Sequence, residues 1–330
     1  MDAQMKAIVR TRYGPPDVLQ LEEIEKPAPK GDEVLVRVSA ASVNAYDWHL
    51  LRGKPFLVRL MGFGFLKPKN KRLGADIAGR VEAVGRDVKR FKPGDEVFGS
   101  KLGGFAEYVC ARESALALKP ANVSFEEAAA VPMAAVTALQ GLRDKGQIRP
   151  GQKVLINGAS GGVGTFAVQI AKSFGAEVTA VCSTRNLDKA RSIGADHVID
   201  YTQEDFTKNG QRYDLILAAN GHHSILAYKR ALSPKGVYVM TGGSMTQLLQ
   251  TMLLGRLVTM IGGKKMHNLM AKLSQNDLVF MKDLLETGKV VPVVERRYSL
   301  GQAAEAIRYV EEGHAQGKVV ITPEHNDNPS

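Results

Sequence analysis

The sequence predicts an α/β protein of two domains, a β-rich first part followed by a doubly wound parallel sheet. Three observations carry this expectation. Residues 1–125 alternate short apolar strands with turns, and residues 126–290 alternate strand and helix patterns. The glycine-rich run "NGASGGVG" (157–164) stands where a strand passes into a helix. A strand–helix–strand rhythm implies parallel pairing, because a parallel neighbour is reached only through a crossover, and helices then cover both faces of the sheet.

In the first part, "EVLVRVSAASV" (33–43) and "ADIAGRVEAVG" (75–85) alternate as strands rich in Val, Ile and Ala. "FKPGDEVFG" (91–99) is a Pro-Gly turn that opens another strand, and "GGFAEYVCA" (103–111) continues the β character. The composition then turns alanine-rich in "SFEEAAAVPMAAVTALQGL" (124–142), where Ser124 and Glu127 form a capping box, and the domain boundary is placed there. Strands follow in "KVLING", "EVTAVCS", "HVIDY", "YDLILAAN" and "GVYVMTGG". Helices follow in "GVGTFAVQIAKSFG", "LDKARSIG" and residues 223–232. The closing "LGQAAEAIRYVEEGHAQGKVVITP" predicts a helix and a strand that return to the first domain, so residues 291–330 complete it.

At 330 residues and 44% hydrophobic content the chain is long enough for two cores. It has two cysteines, both in apolar strand-like runs, too few for a four-cysteine zinc lobe or a disulfide framework. A reducing compartment follows. The N-terminus lacks a signal-peptide core and no apolar run reaches spanning length, so the expectation is a soluble, cytoplasmic protein. The net charge of +10 suits an anionic ligand. No zinc-finger spacing or RNP-type strand accompanies it, so no specific nucleic-acid partner is expected.

Between its strand and its helix, the glycine run offers a tight turn and unpaired N–H groups to a pyrophosphate. Its candidate contacts are Ser160, Gly161, Gly162, Val163 and Gly164, with Ala159 where the usual fingerprint has its first glycine. A structural turn without a ligand is the alternative. At the end of the second strand, "TAVCSTRN" (179–186) carries Ser183 and Arg185 and no acid before Asp188. An acid there would hold a ribose 2′-hydroxyl and repel a 2′-phosphate, whereas serine and arginine donate to that phosphate. NADPH is the expected cofactor, with Arg185 as an ordinary solvated loop residue the competing reading.

Taken together, "SVNAYDWHLLRG" (42–53), "GADIAGRVEAVG" (74–85), "FKPGDEVFG", the glycine run and "GHAQGKVV" (313–320) resemble the medium-chain dehydrogenase/reductase superfamily. More narrowly, they resemble its zinc-free quinone oxidoreductase branch, over nearly the whole chain. The resemblance implies a GroES-like domain (1–125, completed by 291–330) and a Rossmann NADPH-binding domain (126–290). Zinc alcohol dehydrogenases have cysteine where Asn44 stands, a histidine in the motif matched by Ala75–Asp76, and a third ligand near Met133. No catalytic zinc is expected, and without a Lewis acid the readier hydride acceptors remain, namely quinones and activated enones.

By the same resemblance Asn44 and Tyr46 line the acceptor cleft, Asn44 to hydrogen-bond the acceptor oxygen and Tyr46 to donate directly or through water. Tyr46 as a packed aromatic is the alternative, and Asp47 is read as positioning the loop. The resemblance also places Thr137 beside the nicotinamide and Tyr201 near the adenosine. As further cofactor contacts it implies Asn220, Thr241 and Gly242 at strand ends and Lys318 in the cleft, and it implies a homodimer. Competing functions are an NADPH-binding protein with little turnover (a redox sensor, structural or RNA-binding role) and an NADP-dependent alcohol or aldehyde oxidoreductase.

Two acid-free stretches remain. "RGKPFLVRLMGFGFLKPKNKR" (52–72) has seven basic residues, and 244–272 is rich in Met and Leu. Each reads either as covered core with a solvated loop or as a greasy, basic rim for lipophilic acceptors or an anionic membrane surface. The second also reads as a subunit contact.

Overall fold

A computed structural model describes residues 4–56, 58–243, 247, 249–251 and 263–325, apart from the Met61 side chain. The chain divides into two compact units. The first is Met1–Met133, Leu273–Glu286 and Pro292–Ser330; the second is Ala134–Lys272 and Thr287–Val291.

The first unit opens with an antiparallel ribbon, β1 (Gln4–Val9) and β2 (Gln20–Glu25). β3 (Glu33–Val43) leads into α1 (Ala45–Arg52), then come β4 (Asp76–Val84), β5 (Glu96–Ser100), β6 (Tyr108–Arg112) and β7 (Leu116–Leu118). β3 is the spine. Its Val34, Val36 and Val38 point into the core, and from Ala40 to Val43 every residue is buried. That end of the strand therefore carries polar side chains only where partners await them.

Ser124 caps α2 (Phe125–Ala129) as its sequence implies: its hydroxyl accepts from Glu127 N at 3.2 Å, and the Glu127 carboxylate accepts from Ser124 N at 2.7 Å. The alanine-rich stretch is not one helix, because Pro132 lacks the N–H a helix interior needs and instead opens α3 (Pro132–Leu139). α2 packs on β3, β4 and β5, so the first unit extends past the boundary expected at 125/126. The helix Gln275–Glu286 packs on β7 and belongs to the first unit too, although the sequence pattern places it with the second.

The second unit holds β8 (Lys153–Asn157), α4 (Gly162–Ser173), β9 (Glu177–Cys182), α5 (Leu187–Ser192), β10 (His197–Asp200), β11 (Tyr213–Ala218), α6 (Ile225–Ala231), β12 (Leu232–Met240) and β13 (Lys265–Asn268). Its sheet runs β10-β9-β8-β11-β12-β13 with every pair parallel. Strand order reverses between β8 and β11, the switch point where open α/β sheets bind ligands at strand C-termini. This is the Rossmann arrangement. The core below it includes Leu155, Val181, Ile216, Tyr228 and Tyr238.

The chain returns to the first unit with β14 (Val294–Ser299), the helix Ala303–Glu311 and β15 (Lys318–Thr322). The larger sheet there is β14-β15-β3-β4-β5-β7, with β6 also on β3. Among the described residues no helix is long and apolar enough to cross a membrane. Of the stretch 244–272, residues 244–246, 248 and 252–262 lie outside the described residues, and β13 is drawn from its end.

Candidate functional site

In the second unit the glycine turn sits at the C-terminal end of β8. Gly158 takes φ +85°, and a Cβ on it would lie 2.8 Å from Asn220 Cβ. Gly158, one residue before the expected position at Ala159, is therefore the left-handed residue of the turn. Ala159 is buried, and its N–H goes to Val181 O at 3.0 Å. A Cβ on Gly164 would stand 2.0 Å from Gly158 O, so only glycine lets α4 close on the turn.

Gly161 is different. It is the N-cap of α4 with an ordinary φ of −80°, and a Cβ there would meet nothing nearer than Gly158 O at 3.7 Å. The protein's own packing does not ask for glycine at this position; a ligand in close contact with the backbone would. The first N–H groups of α4, from Gly162, Val163 and Gly164, have no intrahelical acceptor, and the helix dipole adds positive potential there. A dinucleotide pyrophosphate fits these features.

Ser183 directly follows β9 and is half-buried; its hydroxyl accepts from Asn186 Nδ2 at 3.1 Å. Arg185 is exposed on the short helical turn that follows. Tyr201 is 60% exposed just after β10, with its N–H on Cys182 O at 3.1 Å. Exposed Asn220 follows β11, and Thr241 and Gly242 follow β12 with both N–H groups on Ala218 O. Ser160 is half-buried within the turn, and Thr137 is half-buried on α3. The sheet also brings up a group that the local sequence hides. Asp200 pairs with Cys182 across β10 and β9, and its carboxylate accepts from Thr184 Oγ1 at 2.5 Å and Thr202 Oγ1 at 2.7 Å. The Thr184 bond comes first among the causes that hold its pKa below the usual carboxylate range.

In the first unit, sheet register assembles a buried charged cluster. Pairing of Ser42 with Asp76 and of Val43 with Val319 brings Asp76, Asn44 and Lys318 together at one end of β3. Lys318 Nζ donates to Asn44 Oδ1 at 2.6 Å, and Asn44 Nδ2 donates to Asp76 Oδ2 at 2.9 Å. Asp76 also accepts from Ser42 Oγ at 3.2 Å and from Met133 N at 3.2 Å, with Lys318 Nζ 3.9 Å away. Asp47, in the first turn of α1, accepts from Asn44 N at 2.8 Å and Gly74 N at 3.1 Å.

All three ionisable groups are sealed from water. Burial pushes the Asp47 carboxyl up to about 7, against the pull of its two backbone N–H bonds and Lys318. Burial likewise raises Asp76 and lowers Lys318, while their mutual attraction works the other way. Tyr46 is half-buried, packed edge-to-face on Phe63 at 6.1 Å, and its pKa is raised by burial and by the charge of Asp47. Its hydroxyl has no hydrogen-bond partner among the described residues, in contrast to the Asn44 amide, whose donors go to Asp76 and the Ser42 carbonyl.

The side chains of Asn44, Ala75 and Met133 do not fit zinc, since they offer neither thiol nor imidazole, and the neighbouring Asp76 carboxylate has the Lys318 ammonium 3.9 Å away. Cys110 and Cys182 are buried elsewhere, and among the described residues no group of three or more His, Cys, Asp or Glu could hold a metal ion. The sequence points to Asn44, Tyr46 and Lys318. Asp76 becomes visible only through the strand register, although its place beside Ala75 in "GADIAG" was the available signal.

Comparison with known proteins agrees with this architecture. Residues 30–121 match the alcohol dehydrogenase GroES-like domain, and residues 193–321 match the zinc-binding dehydrogenase family. The chain is 34% identical to a chloroplastic quinone-oxidoreductase of Triphysaria versicolor, over 97% of this chain and 98% of that protein. It is 35% identical to a chloroplastic NADPH-dependent alkenal/one oxidoreductase of Arabidopsis thaliana, over 97% and 80% of the two. The solved quinone oxidoreductase of Coxiella burnetii superposes with a TM-score of 0.84 at 29% identity, covering 97% of this chain and 99% of that one. With near-complete coverage by such relatives, and a GroES-like unit joined to a Rossmann sheet, the chain belongs to the medium-chain dehydrogenase/reductase family.

Proposed function

We propose that the protein is an NADPH-dependent, zinc-independent reductase that passes hydride to quinones or activated enones. The observation that carries this reading is the Asn44–Lys318–Asp76 cluster, which puts amide, ammonium and carboxylate where a zinc enzyme needs thiolate and imidazole. The acceptor class is supported by the relatives named as quinone and alkenal/one oxidoreductases. Family membership implies a nicotinamide cofactor, which supplies the hydride when bound.

The chain's own residues have separate tasks. The backbone from Ser160 to Gly164 binds the pyrophosphate, while Ser183 and Arg185 select the 2′-phosphate. Tyr201, Asn220, Thr241, Gly242 and Thr137 border the cofactor's remaining length. The Tyr46 hydroxyl, free to donate, meets the acceptor oxygen as it gains negative charge. Asn44, held by Lys318 and Asp76, fixes the start of α1 and so the place of Tyr46. In this reading Lys318 also serves the acceptor side, through its hydrogen bond to Asn44.

The test is NADPH oxidation with quinones, enones and saturated aldehydes, before and after chelator treatment. Turnover of the first two classes, retained after chelation, is expected. Activity confined to saturated aldehydes, or lost with the metal, overturns the proposal. Tyr46→Phe should lower kcat on the order of tenfold, more for enones than for quinones, and leave NADPH affinity unchanged.

A further inference from the structure

Within the acid-free stretch 52–72, a loop has a pinned base and a bare tip. Lys69 N donates to Phe63 O at 2.8 Å. From below, the Tyr13 hydroxyl donates to the carbonyls of Phe63 and Gly64 at 3.0 and 2.7 Å. Gly64 has φ +108°, and a Cβ on it would lie 2.0 Å from Lys67 O, so the reversal depends on glycine. The loop is thus built to hold up what it exposes.

It exposes large apolar groups. Leu66 is 81% exposed and Phe65 56%, beside Phe56 at 53% and Leu60 at 59%. Phe56 and Phe65 stack edge-to-face with centroids 5.5 Å apart, so two aromatic rings pair in front of solvent. Lys54, Lys67, Lys69 and Lys71 are exposed and make no ion pair among the described residues, whereas Arg52 is held by Glu311 at 2.7 Å.

We infer that this loop docks the protein on an anionic lipid surface. Phe65 and Leu66 enter the acyl boundary, and the four lysines meet headgroup phosphates. A nucleic acid would satisfy the lysines and leave the leucines in water. A second copy of the chain would bring the same lysines face to face. An anionic lipid answers both halves of the patch.

The experiment is co-sedimentation of the full chain with phosphatidylcholine vesicles and with mixed phosphatidylcholine–phosphatidylserine vesicles, at low and high salt. Binding to the mixed vesicles, released by salt, is expected. Leu66→Ser should weaken it about tenfold, and joint Lys67→Ala, Lys69→Ala and Lys71→Ala about a hundredfold, with thermal unfolding unchanged. Equal binding to both vesicles, no binding, or full binding by the lysine variant overturns the inference. So does an oligomer that Leu66→Ser splits in the absence of lipid, which would make the loop a contact between copies.

Discussion

The glycine turn of the second unit works with backbone groups drawn from eight consecutive residues, 157–164, whereas the cluster of the first unit works with side chains from Ser42, Asn44, Asp47, Asp76 and Lys318. The turn presents dipoles that need no counter-charge, so it can stand open to an anion. The cluster buries formal charges and tolerates them only because each is answered within it. One region is sensitive to the volume of a single methyl group, the other to the removal of a single charge.

The largest expected effect follows from that second sensitivity. Lys318→Met removes the cation and leaves Asp76 and Asp47 buried with none in the cluster, which should cost about 3–5 kcal/mol in denaturant unfolding. A loss under about 1 kcal/mol would mean that the cluster is not held by charge. The pH profile sharpens the point. The unfolded Asp47 carboxyl titrates near 3.8 and the folded one at about 7, so in that window the folded state keeps a proton that the unfolded chain has lost. The stability owed to this group is therefore fully present below the unfolded value, falls as pH rises through the window, and levels off above about 7. Asp47→Asn should flatten that part of the unfolding profile measured from pH to pH.

Next in size is a pair of alanine substitutions within the turn. At Gly164 the new Cβ would meet Gly158 O at 2.0 Å and Ala159 Cα at 2.7 Å, backbone atoms that cannot swing aside. Gly164→Ala should lose about 1–3 kcal/mol of stability, and cofactor binding with it. At Gly161 the space is open and φ is ordinary. Gly161→Ala should therefore unfold within about 0.5 kcal/mol of the parent, yet bind NADPH about tenfold more weakly. Calorimetric titration beside thermal unfolding separates the two. If Gly161→Ala binds NADPH like the parent, the open space does not hold the pyrophosphate.

What the sequence made legible was mostly local. The capping box at Ser124 and Glu127, the 33–43 strand and the strand–glycine–helix passage each lie within a dozen residues, and backbone preference decides them. The cluster was legible only by resemblance, and there as separate residues, because its members meet through the pairing of β3 with β4 and β15. Pattern along the chain carries no register between strands so far apart in sequence. Within the alanine-rich stretch, composition does not show the break between α2 and α3, which falls at Pro132 because proline suits the first turn of a helix.

Asp200 tests that limit most directly, and with the smallest expected effect. Along the chain it follows Arg185 by fifteen positions. In the fold it lies one strand over, opposite Cys182, with Thr184 on its carboxylate. The end of β9 thus carries both signs: Arg185, exposed and in no ion pair among the described residues, and a carboxylate that its hydroxyl partners keep ionised. If Arg185 selects the 2′-phosphate, Arg185→Asp should reverse a preference for NADPH over NADH of about tenfold, read by fluorescence titration of both cofactors. If Asp200 opposes that phosphate across the strand pair, Asp200→Asn should raise the same preference a few-fold, less than Arg185 gives because the group is open to screening water. Its threonine partners can still donate to the remaining amide oxygen, so the turn should hold its shape. Equal affinities of the parent for both cofactors would remove Arg185 from the selection. An unchanged ratio in Asp200→Asn would mean that Asp200 only ties the end of β10 to the turn after β9, and that the cofactor is read by the residues already visible in the sequence.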